Sequence, residues 1–350
     1  MKVTLNDFPW RSYGTDSPLS EYAMTHNRAG DPYESPSPPR PPGSPGGDDL
    51  PGSAGCAGSS HLVGAIAMSI QFSPVIAAKP RPLPGFTSLQ YVDLDELGVP
   101  ASPVAVLDDF RVRGLPFSPH PHAGFAAVTY VLEDSPGAVR SRASSGIDLV
   151  VDPGGIVWTH AGSGVVHEEI PAVPGRELHG VQIFVNLTSK NKLTPPEVLH
   201  LPPSQVPEWR SDTGDRVRVV VGSFDSVSSP LVPAEPFTLL DVRLRREIPL
   251  VLQAAHNAIV YVLTGDVVAR AAGHQKKVYG EHAMALRGGG GRVTFEALAP
   301  SHLLILAGAE ISEPVVTQGP FIMNEPSQIE DAIARYRSGA MGHLAPLSDS

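Results

Sequence analysis

Two short sequences place the tightest constraint on how this chain can fold. His120-Pro-His122 and His167-Glu-Glu169 each stand in a run of residues typical of β-strands, with glycine-rich turns between the two runs. In an extended strand, side chains two positions apart point to the same face, so His120 pairs with His122 and His167 pairs with Glu169. If the two strands face one another, three imidazoles and one carboxylate meet. The pattern therefore predicts a β-structure that folds back on itself.

That set of side chains is suited to a divalent metal ion. Imidazole nitrogens and a carboxylate oxygen bind iron, and the same set also accepts manganese, nickel, copper or zinc. A single pair of this kind is weak evidence, because a histidine in a strand is more often just hydrogen-bonded. Two pairs that can share one face of a barrel favour a metal site. We expect His120, His122, His167 and Glu169 to hold one metal ion, with Fe(II) preferred where positions stay open for substrate and oxygen.

Turn-forming residues are abundant throughout the chain. The 350 residues include 34 glycines and 37 prolines, and only 6% are aromatic. This composition predicts an all-β body with many loops. The net charge of −10 disfavours nonspecific attraction to phosphates, so direct nucleic-acid binding is not expected. Cys56 is the only cysteine in the sequence, which suits a reducing cytoplasm, with the nucleus as the alternative for a eukaryotic regulator.

The N-terminal region differs in composition from the rest. Residues 1–60 are rich in proline, glycine and serine and have too few large apolar side chains to offset the entropy of ordering, which predicts a disordered extension. The apolar run Leu62–Ile70 is too short to span a bilayer and is predicted to be the first strand, so no membrane segment is expected. Because Met68 directly precedes the predicted fold, the first 67 residues are either an added extension or lie upstream of the native start.

The remaining sequence repeats one pattern of short β-type runs in two halves. Residues 70–203 are predicted to form an N-terminal barrel with the metal site, and residues 206–323 a C-terminal barrel whose scattered histidines predict no metal. Two barrels that cover each other favour a monomer. In the second half, the predicted strands are Val217–Gly222, Phe237–Val242, Ala258–Leu263, Val293–Phe295 and His302–Ala307.

A helix is predicted over residues 324–340. Its apolar residues, from Ile329 to Tyr336, recur at the spacing of one helical face. Ser327 and Glu330 have the spacing of a capping box, and Gly339 is a candidate C-cap. We expect this helix to pack its apolar face on a barrel.

Longer stretches around the four candidate ligands resemble the pirin family of bicupins. The resemblance covers roughly residues 70–340 and implies two tandem cupin-type β-barrels. It also implies the activity of a quercetin 2,3-dioxygenase, which cleaves a flavonol or a similar aromatic enol with O₂ at nonheme iron. The matching stretches are Phe117-Ser-Pro-His-Pro-His-Ala-Gly-Phe125, Pro153-Gly-Gly-Ile-Val-Trp158, Ala161-Gly-Ser-Gly-Val-Val-His-Glu-Glu169, His179-Gly-Val-Gln-Ile-Phe-Val-Asn-Leu187, Glu313-Pro-Val-Val316 and Gly319-Pro-Phe-Ile-Met-Asn324.

On this resemblance His120, His122, His167 and Glu169 are the metal ligands. We hypothesise that Glu169 is also catalytic and takes the proton of the enolic hydroxyl, because only the carboxylate keeps spare basicity once the imidazoles bind metal. Glu168 should point to the opposite face by strand alternation.

The sequence departs from the family pattern beside the ligands. The family usually has Arg-Gly-Phe-Glu-Thr after the second histidine, where this chain has Ala123-Gly-Phe-Ala-Ala127, and His160 stands in place of a threonine. None of these positions is one of the four proposed ligands, but the changes put the substrate in question, and they make His160 a new candidate for contact with metal or substrate. For His160 a role as a loop or core histidine is favoured over that contact, and His179 is expected to pack or to hydrogen-bond.

Two other functions stay open at this point. One is a noncatalytic, iron-bearing transcriptional coregulator or redox sensor that binds a protein partner, as the resemblance to animal pirins implies. The other is a sugar-isomerase-like or simple ligand-binding cupin, since barrels host many chemistries.

Overall fold

The computed structural model describes residues 70–345 and residue 347. The predicted disorder of residues 1–60, the Cys56 thiol and the two explanations for Met68 lie outside the described residues. The all-β class is confirmed, because most described secondary structure is strand and the α-helix of the described part is a short one near the C-terminus.

The first half of the described chain is a series of strands with two short 3-10 helices, Leu94–Leu97 and Pro203–Gln205. Its strands are β1 (Gln71–Ala77), β2 (Lys79–Pro80), β3 (Phe86–Tyr91), β4 (Val104–Val112), β5 (His120–His122), β6 (Phe125–Val131), β7 (Val139–Ala143), β8 (Asp148–Val151), β9 (Ile156–His160), β10 (Val165–Pro171), β11 (Leu178–Asn186) and β12 (Glu197–Leu201).

The second half continues with strands and ends in the helix α1 (Pro326–Arg337). Its strands are β13 (Glu208–Arg210), β14 (Arg216–Val221), β15 (Ser223–Phe224), β16 (Val227–Ser228), β17 (Phe237–Leu244), β18 (Glu247–Thr264), β19 (Val267–Ala271), β20 (His274–Val278), β21 (His282–Ala297), β22 (Ser301–Ala309), β23 (Val316–Gln318) and β24 (Phe321–Met323).

Two sheets build the first barrel. Seven strands pair in the order β12-β9-β6-β11-β4-β3-β2, and four pair in the order β5-β10-β7-β8. β6 is buried at every position because both faces of the larger sheet are covered. Its odd-numbered residues, such as Thr129, face the barrel interior, and its even-numbered residues, such as Tyr130, face the second half. One strand thus contributes to both the cavity and the junction.

β1, the first strand of the described residues, belongs to the second half and not to the first barrel, whereas the predicted strand Leu62–Ile70 lies outside the described residues except for Ile70. β1 pairs with β21 in a nine-stranded sheet whose other strands run in the order β13-β14-β17-β22-β18-β21-β19-β20. The sequence assigned residues 70–203 to the N-terminal barrel, and the structure differs for this strand. Pairing between distant strands is decided by the free edge of a completed sheet, which a local pattern does not show.

The C-terminal segment, in turn, packs against the first half. β23 and β24 form a hairpin, and Phe321 makes a parallel bridge with Ala123 of the first half. The buried side chains of Ile329 and Ala332 on α1 pack in one cluster with Ala123 and Val166. The hairpin and α1 therefore cover the back of the sheet that carries the candidate ligands, although residues up to 323 were assigned to the C-terminal barrel.

The helix itself is confirmed, but its predicted cap is wrong. Glu325 is the N-cap, and its backbone N–H donates to the side chain of Gln328 at 3.1 Å. Proline at the first helical position costs no hydrogen bond and has a helical φ, so Pro326 begins the helix and moves Ser327 out of the cap position. Ser338 is the C-cap, and Gly339 follows it with a φ of 78°. No helix in the described part is both long and apolar enough to cross a membrane.

The two halves pack face to face through an apolar layer. Trp158 and Ile183 of the first half share this core cluster with Leu239 and Ile259 of the second. In the second half, β18 and β21 are much longer than the predicted strands Ala258–Leu263 and Val293–Phe295.

Candidate metal centre

Three histidines from two paired strands converge inside the first barrel. β5 and β10 run antiparallel, with His120 opposite His167 and His122 opposite Val165. Residues opposite one another, and residues two apart on one strand, point to the same face of a sheet. One ring nitrogen each of His120, His122 and His167 consequently lies within 4.8 Å of the others. The Nε2 atoms of His120 and His167 are 3.2 Å apart.

Burial keeps these three imidazoles neutral. It lowers the pKa of His120 to about 4. The pKa values of His122 and His167 lie well below the ordinary value, because burial is reinforced by repulsion from the neighbouring imidazoles. A neutral imidazole keeps a lone pair on one ring nitrogen, which is the form that binds a metal ion. At neutral pH the cluster is therefore a set of three ligands instead of three cations.

The donor set fits a borderline divalent metal ion. Nδ1 of His120 lies 2.9 Å from the carbonyl oxygen of Ser118, and a proton on Nδ1 leaves the lone pair on Nε2 facing the cluster. Nδ1 of His167 is buried without a hydrogen-bond partner among the described residues. The close approach of one ring nitrogen from each of three neutral imidazoles is the arrangement that a shared divalent cation would fit.

Glu169 lies beside this group but outside it. It shares a face of β10 with His167, yet its carboxylate accepts hydrogen bonds from Thr129 Oγ1 at 2.5 Å and Ser141 Oγ at 3.2 Å. Among the described residues, the ligand atoms found within 4.8 Å of one another belong to the three histidines. Burial raises the pKa of Glu169 to about 6 against the opposing effect of the two hydrogen bonds. Its role as the fourth ligand stays a prediction.

Aromatic rings form a wall beside the histidines. The ring centroids of Phe125 and Phe184 lie 5.0 Å and 5.4 Å from that of His122, and the ring of Phe117 lies 5.8 Å from that of His120. Gln182 adds an amide near Thr129, two residues before Phe184 and on the same face. An apolar wall with a few placed polar groups is typical of a small-molecule cavity.

Other residues singled out in the sequence lie away from the cluster. Glu168 points to the opposite face as expected and forms an ion pair with Arg142 at 2.7 Å. His160 forms a hydrogen bond with the hydroxyl of Thr194 at 2.8 Å and does not belong to the cluster of three histidines. His179 was expected either to pack or to hydrogen-bond. Its ring nitrogens lie 3.1 Å from Asp109 and 3.2 Å from Asp134, so it hydrogen-bonds.

Lys192 is a neighbour of the site that the sequence did not reveal. Its ammonium group is completely buried and donates to the carbonyl oxygens of Gly124 at 2.8 Å and Ile322 at 2.9 Å, and to Asn186 Oδ1 at 2.5 Å. Burial lowers the pKa of Lys192 to about 8. The lysine thereby ties the turn after His122 to the end of β11 and to β24.

The three alanines that follow the second histidine lie in three different surroundings. Ala123 is fully buried and exchanges backbone hydrogen bonds with Pro320 and Ile322. Ala126 is part of the apolar layer between the halves, and Ala127 packs with the aromatic wall. All three alanines are buried in apolar clusters, and none of them adds a polar group to the centre.

The two barrels and the histidine cluster define a bicupin with a candidate metal centre in its first barrel. Family models agree with this division. The model described as Pirin matches residues 77–185, and the one described as Pirin C-terminal cupin domain matches residues 239–342. The chain belongs to the pirin family.

Individual relatives carry two kinds of name. A protein of Pseudomonas aeruginosa with the provisional name quercetin 2,3-dioxygenase is 31% identical over 251 residues, which cover 68% of this chain and 86% of that protein. Human pirin is 30% identical over 293 residues, which cover 81% of this chain and 95% of that protein. The crystal structure of quercetin 2,3-dioxygenase from Acinetobacter baumannii matches with a TM-score of 0.69 at 26% identity, covering 79% of this chain and 99% of that one.

Proposed function

We propose that this protein is a metal-dependent dioxygenase that cleaves a flavonol such as quercetin with O₂. His120, His122, His167 and Glu169 would hold the metal, with Fe(II) as the preferred ion. The observation that carries the proposal is the cluster of three buried, neutral imidazoles with a carboxylate beside it. Bound iron would supply open positions for an enolate oxygen and for O₂ and would let electrons pass from the bound substrate to O₂.

Glu169 is the candidate base for the enolic hydroxyl. A general base works best when its pKa lies close to the pH at which the enzyme operates, and burial brings the pKa of Glu169 to about 6. The neutral imidazoles cannot compete for that proton once their lone pairs bind metal. The aromatic wall of Phe125 and Phe184 would hold the flat ring system of the substrate and exclude water.

Metal analysis combined with turnover tests the proposal. Wild-type protein and the variants His120→Ala, His122→Ala and His167→Ala would be purified without added metal and assayed for metal content. His200→Ala is the control, since this histidine is exposed on β12. Each iron-loaded protein would then be incubated aerobically with quercetin while the loss of flavonol absorbance is followed. We expect the three ligand variants to lose metal and turnover together and His200→Ala to keep both.

Glu169→Gln separates the base from the ligand role. Compared at full metal loading, turnover of this variant should fall about 100-fold or more, the usual contribution of a positioned base, because the amide has no basicity. Unchanged turnover at full metal loading would reject the base role. Full metal content in the histidine variants would reject the metal centre itself.

A noncatalytic regulator is the second candidate, favoured by the match to human pirin over nearly its whole length. On that alternative the metal centre would set the affinity for a protein partner according to its oxidation state. Metal-loaded wild-type protein that consumes no quercetin, yet binds a partner differently in its ferrous and ferric forms, would favour the regulator over the enzyme.

A further inference from the structure

Both carboxylate oxygens of Glu169 are occupied by hydroxyl groups. Oε2 accepts from Thr129 and Oε1 accepts from Ser141, and both hydroxyl-bearing residues are only 1% exposed. Ser141 is directly opposite Glu169 in the pairing of β7 with β10, whereas Thr129 comes from β6 in the other sheet. The carboxylate is thus held between the two sheets of the barrel.

We infer that Thr129 and Ser141 form a dock that holds Glu169 off the metal, and that Glu169 moves between this dock and the metal centre. The inference rests on the metal site of the proposed function. With Glu169 docked, the centre is a three-histidine site with more open positions for substrate and oxygen. With Glu169 bound to the metal, the cation offsets the charge of the carboxylate, and one fewer coordination position is open to substrate and oxygen.

The Thr129 hydroxyl has a second acceptor to which it can turn when the carboxylate leaves. The Thr129 hydroxyl has one proton and two acceptors within reach, Glu169 Oε2 at 2.5 Å and Gln182 Oε1 at 3.1 Å. The Gln182 amide is oriented by its own hydrogen bond from Nε2 to the carbonyl oxygen of Val128 at 3.0 Å. When Glu169 leaves, the Thr129 hydroxyl can donate to Gln182 and so keeps a partner, whereas the buried Ser141 hydroxyl gives up its bond to Glu169.

The dock predicts that removing either of its hydroxyl groups tightens metal binding, which is the opposite of the usual effect. Residues that orient a metal ligand normally strengthen metal binding, and replacing them usually weakens it 10-fold to 100-fold. Thr129 and Ser141 instead compete with the metal for the same carboxylate. Thr129→Val and Ser141→Ala should therefore tighten the binding of Co²⁺, measured by competition with a chelator, by up to about 10-fold. Gln182→Met removes the alternative acceptor, keeps Glu169 docked and should weaken Co²⁺ binding.

Matched variants separate the dock from a general change in the barrel. Thr159→Val is the control, because the Thr159 hydroxyl is equally buried in the neighbouring strand β9 and has no hydrogen-bond partner among the described residues. It should leave the Co²⁺ affinity unchanged. In Glu169→Gln protein, Thr129→Val should no longer tighten binding, because the competing carboxylate is gone. The visible absorption of bound Co²⁺ should change with Thr129→Val only when Glu169 is present.

Weaker or unchanged Co²⁺ binding in both Thr129→Val and Ser141→Ala would overturn the dock, as would a gain that persists in Glu169→Gln protein. These readouts do not depend on turnover. A protein that shows the predicted affinity pattern but consumes no quercetin would keep the dock and lose the oxygenase. Loss of Co²⁺ binding is expected only for the histidine variants, and its absence there would remove the metal centre on which both inferences rest.

Discussion

The hydroxyl oxygen of Tyr130 lies 2.6 Å from Oδ2 of Asp241, across the junction between the two halves. The same hydroxyl accepts a hydrogen bond from Arg218 at 2.7 Å, and Asp241 also contacts Nε2 of His302 at 2.6 Å. Because Tyr130 follows Thr129 on β6, this buried polar network and the candidate metal centre lie on opposite faces of one strand. The junction and the site therefore depend on the same backbone.

Replacing Tyr130 with phenylalanine should lower the free energy of unfolding by about 2 kcal/mol, because Asp241 and Arg218 each lose a partner while remaining buried. Urea denaturation of metal-free protein measures the change. Tyr279→Phe is the matched control, since the Tyr279 side chain is 47% exposed and should tolerate the loss of its hydroxyl. Equal stability of the two variants would contradict a role for the network in joining the halves.

Lys192→Met should destabilise the protein by about 2 to 5 kcal/mol. The substitution leaves the carbonyl oxygens of Gly124 and Ile322 and the amide oxygen of Asn186 without their donor. Because Gly124 is two residues after His122, we also expect weaker metal binding, measured by chelator competition. Lys190→Met in the same loop is the control, as Lys190 is exposed. Metal affinity equal to that of the control would restrict Lys192 to a purely structural role.

Gly124→Ala should be among the most damaging small changes in the first barrel. Gly124 has a φ of 84°, and a Cβ there would lie 1.9 Å from the carbonyl oxygen of Ile322. A backbone oxygen in a paired strand cannot move away cheaply, so we expect a loss of about 3 kcal/mol or more in urea denaturation. Gly98→Ala is the comparison, with a φ of 63° but no atom within 4 Å of the added Cβ. It should cost about 1 kcal/mol, from backbone strain alone.

Stability should depend on pH through His179. Burial lowers the pKa of His179, but hydrogen bonds to Asp109 and Asp134 outweigh burial and raise the pKa above its ordinary value. The folded protein therefore holds this proton more tightly than the unfolded chain. The contribution is complete below about pH 6.5, the ordinary value for histidine, and is lost as the pH rises through the folded-state pKa.

Urea midpoints measured between pH 5 and pH 9 test this dependence. The difference in stability between wild type and His179→Gln should shrink as the pH rises through this range. His200→Gln, at an exposed histidine of β12, is the control for replacing a histidine by glutamine. A constant difference for His179→Gln would mean that the ion pairs with Asp109 and Asp134 add no stability.

Local patterns in the sequence were sufficient for the strands that form the centre. The two-residue period of a strand placed His120 with His122, and the register of β5 with β10 then brought His167 to the same face. The same period turned Glu168 away toward Arg142. The position of the Glu169 carboxylate could not be predicted, because it depends on Thr129 and Ser141 from strands far apart in the sequence.

Long-range pairing explains most of the other differences. β21 runs through Gly288–Gly291, a stretch that reads as a loop because glycine has a low preference for strands. Its pairing with β18, where Gly291 lies opposite Leu252, keeps this stretch in the sheet, although Gly290 has a φ of 81°. Lys192 was equally hidden, since its burial results from three segments that meet only in the folded protein.

The exchange of terminal strands between the halves limits how such a protein can be divided. β1 completes the sheet of the second half, whereas β23, β24 and α1 cover the ligand-bearing sheet of the first. Any chain break between β1 and β23 would give two fragments, each lacking a segment that the other carries. Recombination that replaces one barrel with that of a relative should therefore succeed only when the matching terminus is transferred with it.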